Sequence, residues 1–127
     1  MHDKQIRYKQ RLESYKKALS LLVKQSGRVD FDDENIAATL HFYETAFELS
    51  WKLLKDYLEY QGIIAKSPRE VIKMAFQMGY IRDGEIWLEM LDARNNITHI
   101  YEESMARKFF IQVKEVYISH LVELGKL

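Results

Sequence analysis

Apolar side chains along this chain return at steps of three and four, the spacing of one face of an α-helix. Tyr8, Leu12, Tyr15, Leu19 and Leu22 form one such stripe and predict a helix over residues 4–26, with Gly27 at its C-terminal cap. Ile36, Leu40, Tyr43, Phe47, Leu54 and Leu58, with Trp51 beside them, predict a second over 33–60. The carboxylates Asp30, Asp32, Asp33 and Glu34 crowd its start, where they suit the free N–H groups and the dipole, and Gly62 closes it. Ser67, Pro68 and Glu70 read as N-cap, first-turn proline and capping-box glutamate of a short helix over 68–78, stopped by Gly79. Ile86, Met90, Ala93, Ile97 and Ile100 predict a fourth helix over 84–101 behind the cap Asp83. Ala106, Phe109, Val113, Val116 and Leu121 predict the last, from Glu103 to Leu124, before Gly125. Four long helices with short connections imply an all-α fold, an antiparallel up-down-up-down four-helix bundle with one short extra helix. Residues 1–127 are expected to form a single domain.

Composition sharpens this picture. Glycine and proline number only 5 and 1, too few for the turns of a β-rich domain. A chain that is 47% hydrophobic and 30% charged can bury a core and is not a disordered one. With no cysteine, disulfides, thiolate zinc sites and cysteine nucleophiles are excluded. No apolar run approaches the ~18–20 residues of a membrane span and no signal peptide is visible, so a soluble cytoplasmic protein is expected. Nineteen basic side chains balance 19 acidic ones, which argues against a module held on nucleic acid by bulk charge. The balance is uneven along the chain. Eight basic against three acidic side chains give residues 1–30 a net +5, and two against seven give residues 31–65 a net −5. Neighbouring helices of opposite charge can complement each other; alternatively, the first helix offers RNA or an acidic partner a positive flank, with Lys16 and Lys17 the residues to test.

Helical bundles often house carboxylate-bridged metals, which need Glu-x-x-His on two helices. None of His2, His41, His99 and His120 has a glutamate three residues before it. His41, Glu44 and Glu48 share a helical face but lack partners of matching spacing, so neither a metal nor another cofactor is expected. The segment Arg94-Asn95-Asn96-Ile97-Thr98-His99-Ile100-Tyr101 is more informative. An arginine fork matches a phosphate, and a histidine can move a proton at neutral pH. Together they supply what metal-free RNA cleavage requires. On a straight helix a spacing of five sets them ~140° apart, so they converge only if the helix unwinds near Asn95 and Asn96 or if two chains share a site. Arg and His at this offset arise by chance at about 0.2 per chain of this composition, and adding Tyr two residues on lowers that to about 0.01. The plain alternative is a helix end where His99 and Tyr101 cap or pack and Arg94 pairs with Asp92 or Glu102.

Arg-x-x-x-x-His-x-Tyr near the end of a bundle helix resembles the HEPN family, in particular the nucleotidyltransferase substrate-binding proteins of MNT/HEPN toxin–antitoxin pairs. Three further stretches carry the resemblance: residues 47–58 (Phe47-Glu48-Leu49-Ser50-Trp51-Lys52 and onward) before Gly62, residues 67–72 from Ser67, and Asp83-Gly84-Glu85-Ile86-Trp87 leading into Arg94-Asn95. It spans roughly residues 5 to 124 in order. The resemblance implies a homodimeric helical protein encoded beside a minimal nucleotidyltransferase and bound to it. It further implies a metal-independent RNase site made by Arg94 and His99, with Asn95 as the polar residue after the arginine, and Tyr101 as acceptor of AMP from the partner enzyme. One departure is that Glu102-Glu103 follow Tyr101 where relatives often carry Asp. A non-catalytic subunit that presents nucleotide or substrate to the nucleotidyltransferase remains the alternative, and a plain helical interaction module is a third. Glu44, Glu48 and Lys52 recur every four residues on the second helix; they form a solvated face with i,i+4 pairing, or they line the cleft or receive the partner. Trp51, Trp87 and Phe76 are expected in the core or a dimer contact rather than as base-stacking platforms.

Overall fold

A computed structural model describes residues 2–30, 32–102 and 104–127, and within them the chain is helical with no strand. The elements are α1 (His2–Ser26), α2 (Asp33–Tyr60), α3 (Pro68–Gln77), α4 (Gly84–Asn95), α5 (Ile97–Glu102), α6 (Ala106–Gln112) and α7 (Ile118–Leu124), with a π turn, Val113–Tyr117, joining α6 to α7.

Local chemistry sets the starts and stops. The Asp32 carboxylate accepts from Asn35 N–H at 2.8 Å and caps α2. Asp83 does the same for α4 through Ile86 N–H at 3.1 Å. Ser67 Oγ accepts from Glu70 N–H at 3.2 Å, and the Glu70 carboxylate accepts from Lys66 N–H at 3.2 Å, one residue earlier than a standard capping box. Gly62 and Gly79 take φ of +86° and +78°. Each lets the chain reverse so that the next N–H bonds a carbonyl five residues back, Ile63 to Leu58 and Tyr80 to Ala75. Gly27 follows α1 without a positive φ.

α2 is the spine, because it packs against α1, α3, α4, α6 and α7. Along α1 the match is electrostatic at one end: Arg11 Nε meets Asp56 at 2.9 Å and Arg7 meets Glu59 at 3.3 Å. Tyr8 lies against both Tyr57 and Tyr60 with ring centroids 5.0 Å apart. At the other end Gln25 donates to Asn35 at 2.7 Å, so the two helices run in opposite senses. Part of the +5/−5 asymmetry is therefore internal complementarity. Lys16 pairs within its own helix, with Glu13 at 3.8 Å.

The core is one cluster in which Tyr15, Tyr43, Phe47, Trp87, Met90 and Phe110 are among the largest fully buried side chains. Its tyrosines keep their hydroxyls satisfied: Tyr15 donates to the Leu121 carbonyl at 2.6 Å and Tyr43 to that of Met90 at 2.7 Å. Trp87 is core as expected, Trp51 is half-buried, and Phe76 is half-exposed.

Two expectations on helix length change. The fourth helix is not continuous to Tyr101 but stops at Asn95 and restarts at Ile97. The last begins at Ala106 among the described residues, Glu103 lying outside them, and its periodicity slips at the π turn. Tyr117 is buried and Val116 only partly so, because the wider turn brings Tyr117 rather than Val116 inward, while Leu121 is buried as expected.

The two α1 arginines should differ in weight. Asp56 is nearly buried, so Arg11→Met strands a carboxylate and is expected to cost about 1.5–3 kcal/mol. Arg7→Met breaks a more exposed pair and should cost less than ~1 kcal/mol. Urea denaturation of both variants checks the order.

Candidate nucleotide and nucleic-acid site

Residues Ala37, His41, Glu44, Glu48 and Lys52 follow one another at three- and four-residue steps along α2. This face meets the end of α4 and α5. Glu48 is its centre: Oε2 lies 3.2 Å from Arg94 Nε and Oε1 lies 3.6 Å from Lys52 Nζ. The Arg94 contact is an ion pair without the alignment of a hydrogen bond, and its buried Nε has no hydrogen-bond partner. That nitrogen is shielded between the helices, so the part of Arg94 open to an incoming anion is the exposed portion of its guanidinium side chain. Arg94 pairs with neither Asp92 nor Glu102; Asp92 is held by Arg69 at 3.0 Å.

Asn96 divides the motif. Its backbone sits at φ −108°, ψ 18°, outside the helical range, while its side-chain amide donates to the Asp92 carbonyl at 2.8 Å and closes α4. Arg94 therefore belongs to α4, and His99 and Tyr101 belong to α5. The unwinding lies where the adjacent asparagines allow it. Asn95 and His99 are exposed, and within the described residues no hydrogen bond or ion pair joins His99 to Arg94 or to Tyr101.

Tyr101 is different. Its hydroxyl crosses to α2 and donates to the Ala37 carbonyl at 3.1 Å, although the residue is 46% exposed. It borders a cleft of about 390 Å³ with Leu40, His41, Glu44, Ile97 and Thr98. Burial, and after it the Glu44 carboxylate, raise the Tyr101 phenol above its ordinary pKa. The hydroxyl is thus a protonated donor at neutral pH. The structure brings Tyr101, Glu44, Glu48, Lys52 and Arg94 to one interface between α2 and α4–α5, and leaves His99 and Asn95 on its outer side. His41 enters the cleft beside Tyr101, a placement that spacing alone does not give it. The signal is present in the chain, since His41 and Glu44 are one helical turn apart. Among the described residues no cluster of three or more His, Asp or Glu side chains is placed to hold a metal ion.

Comparison with known proteins places the chain. Residues 10–126 match the family described as nucleotidyltransferase substrate binding protein like. A probable ribonuclease HepT of Haemophilus influenzae is 28% identical over 100 residues, covering 75% of this chain and 68% of that protein. A crystal structure of a Thermus thermophilus protein superposes with a TM-score of 0.79 at 31% identity, covering 87% of this chain and 94% of the other.

Removing the Glu44 charge should ease ionisation of Tyr101. In Glu44→Gln the phenol is expected to titrate at lower pH than in the parent, yet still above a free tyrosine, because burial is the larger cause. Ultraviolet difference titration against Tyr101→Phe isolates this one phenol.

Proposed function

The chain belongs to the nucleotidyltransferase substrate-binding protein family, of HEPN type, and on that footing we propose that it is the HEPN partner of a minimal nucleotidyltransferase, a toxin-type ribonuclease restrained by AMP transfer to Tyr101. The observation that carries this reading is the partly exposed Arg94 guanidinium, held at the α2–α4 interface by Glu48. In cleavage, the ribose 2′-oxygen attacks phosphorus and the 5′-oxygen leaves. His99 serves as general acid or base, Arg94 stabilises the charge growing on the phosphate, and Asn95 orients the group. Because His99 does not meet Arg94 within the chain, the reading requires a cleft completed by a second copy. The proposed assembly is therefore a homodimer of single-domain antiparallel up-down-up-down bundles working in the cytoplasm.

Restraint follows from the same geometry. The partner would catalyse attack of the Tyr101 phenol oxygen on the α-phosphorus of ATP, with pyrophosphate leaving and the phenol proton lost. The hydroxyl then no longer donates to Ala37, and a phosphodiester of about −1 charge stands near Glu44. Repelled by that carboxylate, it is drawn toward Arg94, where it competes with an RNA phosphate. Glu44, Glu48 and Lys52 in this reading line the cleft and position its cation.

A second reading, a non-catalytic subunit that presents nucleotide or substrate to the nucleotidyltransferase, is favoured by one observation: His99 stands apart from Arg94. One experiment separates the two. The purified chain is incubated with RNA in EDTA, alone and after treatment with the nucleotidyltransferase encoded beside it and ATP. The ribonuclease reading expects cleavage that His99→Ala lowers by about 10²-fold or more, consistent with general acid–base catalysis. It also expects a gain of one AMP by intact mass that Tyr101→Phe abolishes. Cleavage surviving in His99→Ala refutes the catalytic assignment, and co-purification without cleavage establishes the second reading.

A further inference from the structure

The π turn between α6 and α7 gathers two side chains that a regular helix would separate. Gln112 and Tyr117 are five residues apart, which on an α-helix places them ~140° from each other. A π turn closes i to i+5, so the two come to one side. Both reach the same group across the fold: Tyr117 Oη donates to Glu89 Oε2 on α4 at 2.7 Å, and Gln112 Nε2 approaches that oxygen at 3.4 Å. Such turns are costly relative to α-helix and recur at functional positions. Here the turn seats the Tyr117 ring in the core against Tyr43 and Phe109 and carries its hydroxyl, with the Gln112 amide, to a polar edge at Glu89.

That edge overlooks a cavity of about 300 Å³, separate from the Tyr101 cleft. Ile100, Met105 and Phe109 supply apolar walls and Lys108 stands exposed at the rim. The volume lies at the small end of ligand pockets and suits a planar ring system. What the edge presents is set by what its members have already spent. Tyr117 gives its one proton to Glu89. Burial, then the hydrogen bond and charge of Glu89, push that phenol far upward, so it remains a donor at any ordinary pH. The carboxylate is acceptor-only and keeps Oε1; the Gln112 amide turns its nitrogen to the carboxylate and keeps its carbonyl oxygen. Each of these two lining groups therefore keeps one acceptor oxygen that no hydrogen bond among the described residues uses.

We propose that this cavity is a guanine-binding site, in which Glu89 and Gln112 accept from the N1–H and exocyclic N2–H₂ of the base and Lys108 meets its phosphate. Guanine is the nucleobase whose pairing edge carries two adjacent donors. Adenine and cytosine set an acceptor beside their amino group, and uracil has a single donor. The ring lies between Met105 and Phe109, and Ile100, flanked in sequence by His99 and Tyr101, forms the shared wall with α5. The site needs no cleavage activity, so it stands or falls separately from the ribonuclease reading.

Calorimetric titration of the whole chain with GMP, AMP, CMP and UMP tests it. GMP is expected to bind at least tenfold more tightly than the other three. Glu89→Gln keeps an acceptor for Tyr117 but puts an amide where the carboxylate was, and should weaken GMP tenfold or more with an unchanged circular dichroism spectrum. Lys108→Met, at the rim and outside the core, should weaken GMP but leave guanosine unaffected. An RNA hexamer with one guanine, compared with its adenine counterpart, identifies the source: a hexamer tighter than GMP marks an RNA base, and an equal or weaker one marks a free nucleotide. Equal affinity for the four nucleotides, no GMP binding at millimolar concentration, or unaltered binding in both variants overturns the proposal.

Discussion

The hydrogen bond from Tyr43 to the Met90 carbonyl governs how the rest of the molecule is arranged. Tyr43 is fully buried in the middle of α2, and its ring meets Phe109 edge-on at 5.0 Å and Tyr117 at 6.0 Å. One side chain thus registers three segments against the spine. Met90 is one helical turn before Arg94, so the same contact fixes the height at which α4 presents its guanidinium to Glu48. Desolvation keeps the Tyr43 phenol protonated, so this bond does not loosen over the ordinary pH range.

Much of the fold is legible in the sequence because it rests on local chemistry. The capping aspartates, the Ser67-Pro68 start of α3 and the reversals at Gly62 and Gly79 each act within a few residues, and a single sequence displays them. α2 runs over Asp33–Tyr60, the span its stripe and flanking signals mark out. What escapes is what depends on distant partners. The π turn is invisible to periodicity, because nothing near Val113 announces that Tyr117 must reach a carboxylate on α4. Of the two places expected for Phe76, core or dimer contact, the core is set aside for a similar reason: the ring packs over Gly84, where an added Cβ would stand 3.1 Å from it, and is half-exposed instead of enclosed.

The candidate site divides along the same line. Arg94, Tyr101 and the Glu44–Glu48–Lys52 stripe stand out from spacing and resemblance, and the structure gives them a common interface. The adjacent asparagines permit a break, yet the effect of the break at Asn96 differs from simple convergence. It separates His99 from Arg94 by ending one helix between them while turning Tyr101 back onto Ala37. The role of His41 depends on tertiary contact, since a histidine one turn before a glutamate has no meaning until a tyrosine from α5 closes the cleft above both.

The Glu48–Arg94 pair also bears on how this surface would respond to its ionic surroundings. Binding to nucleic acid is usually salt-sensitive because free cations condensed on the phosphates are released when protein cations replace them. Arg94 already has a tethered counter-ion, and any phosphate that takes it must displace a covalently held carboxylate, which then turns to Lys52. The exchange is partly internal, one anion for another around a fixed cation. Were Arg94 to take an RNA phosphate as proposed, selectivity there would be a contest between phosphate and carboxylate geometry, and the depth of the ionic atmosphere outside would matter less than for an unpaired surface lysine.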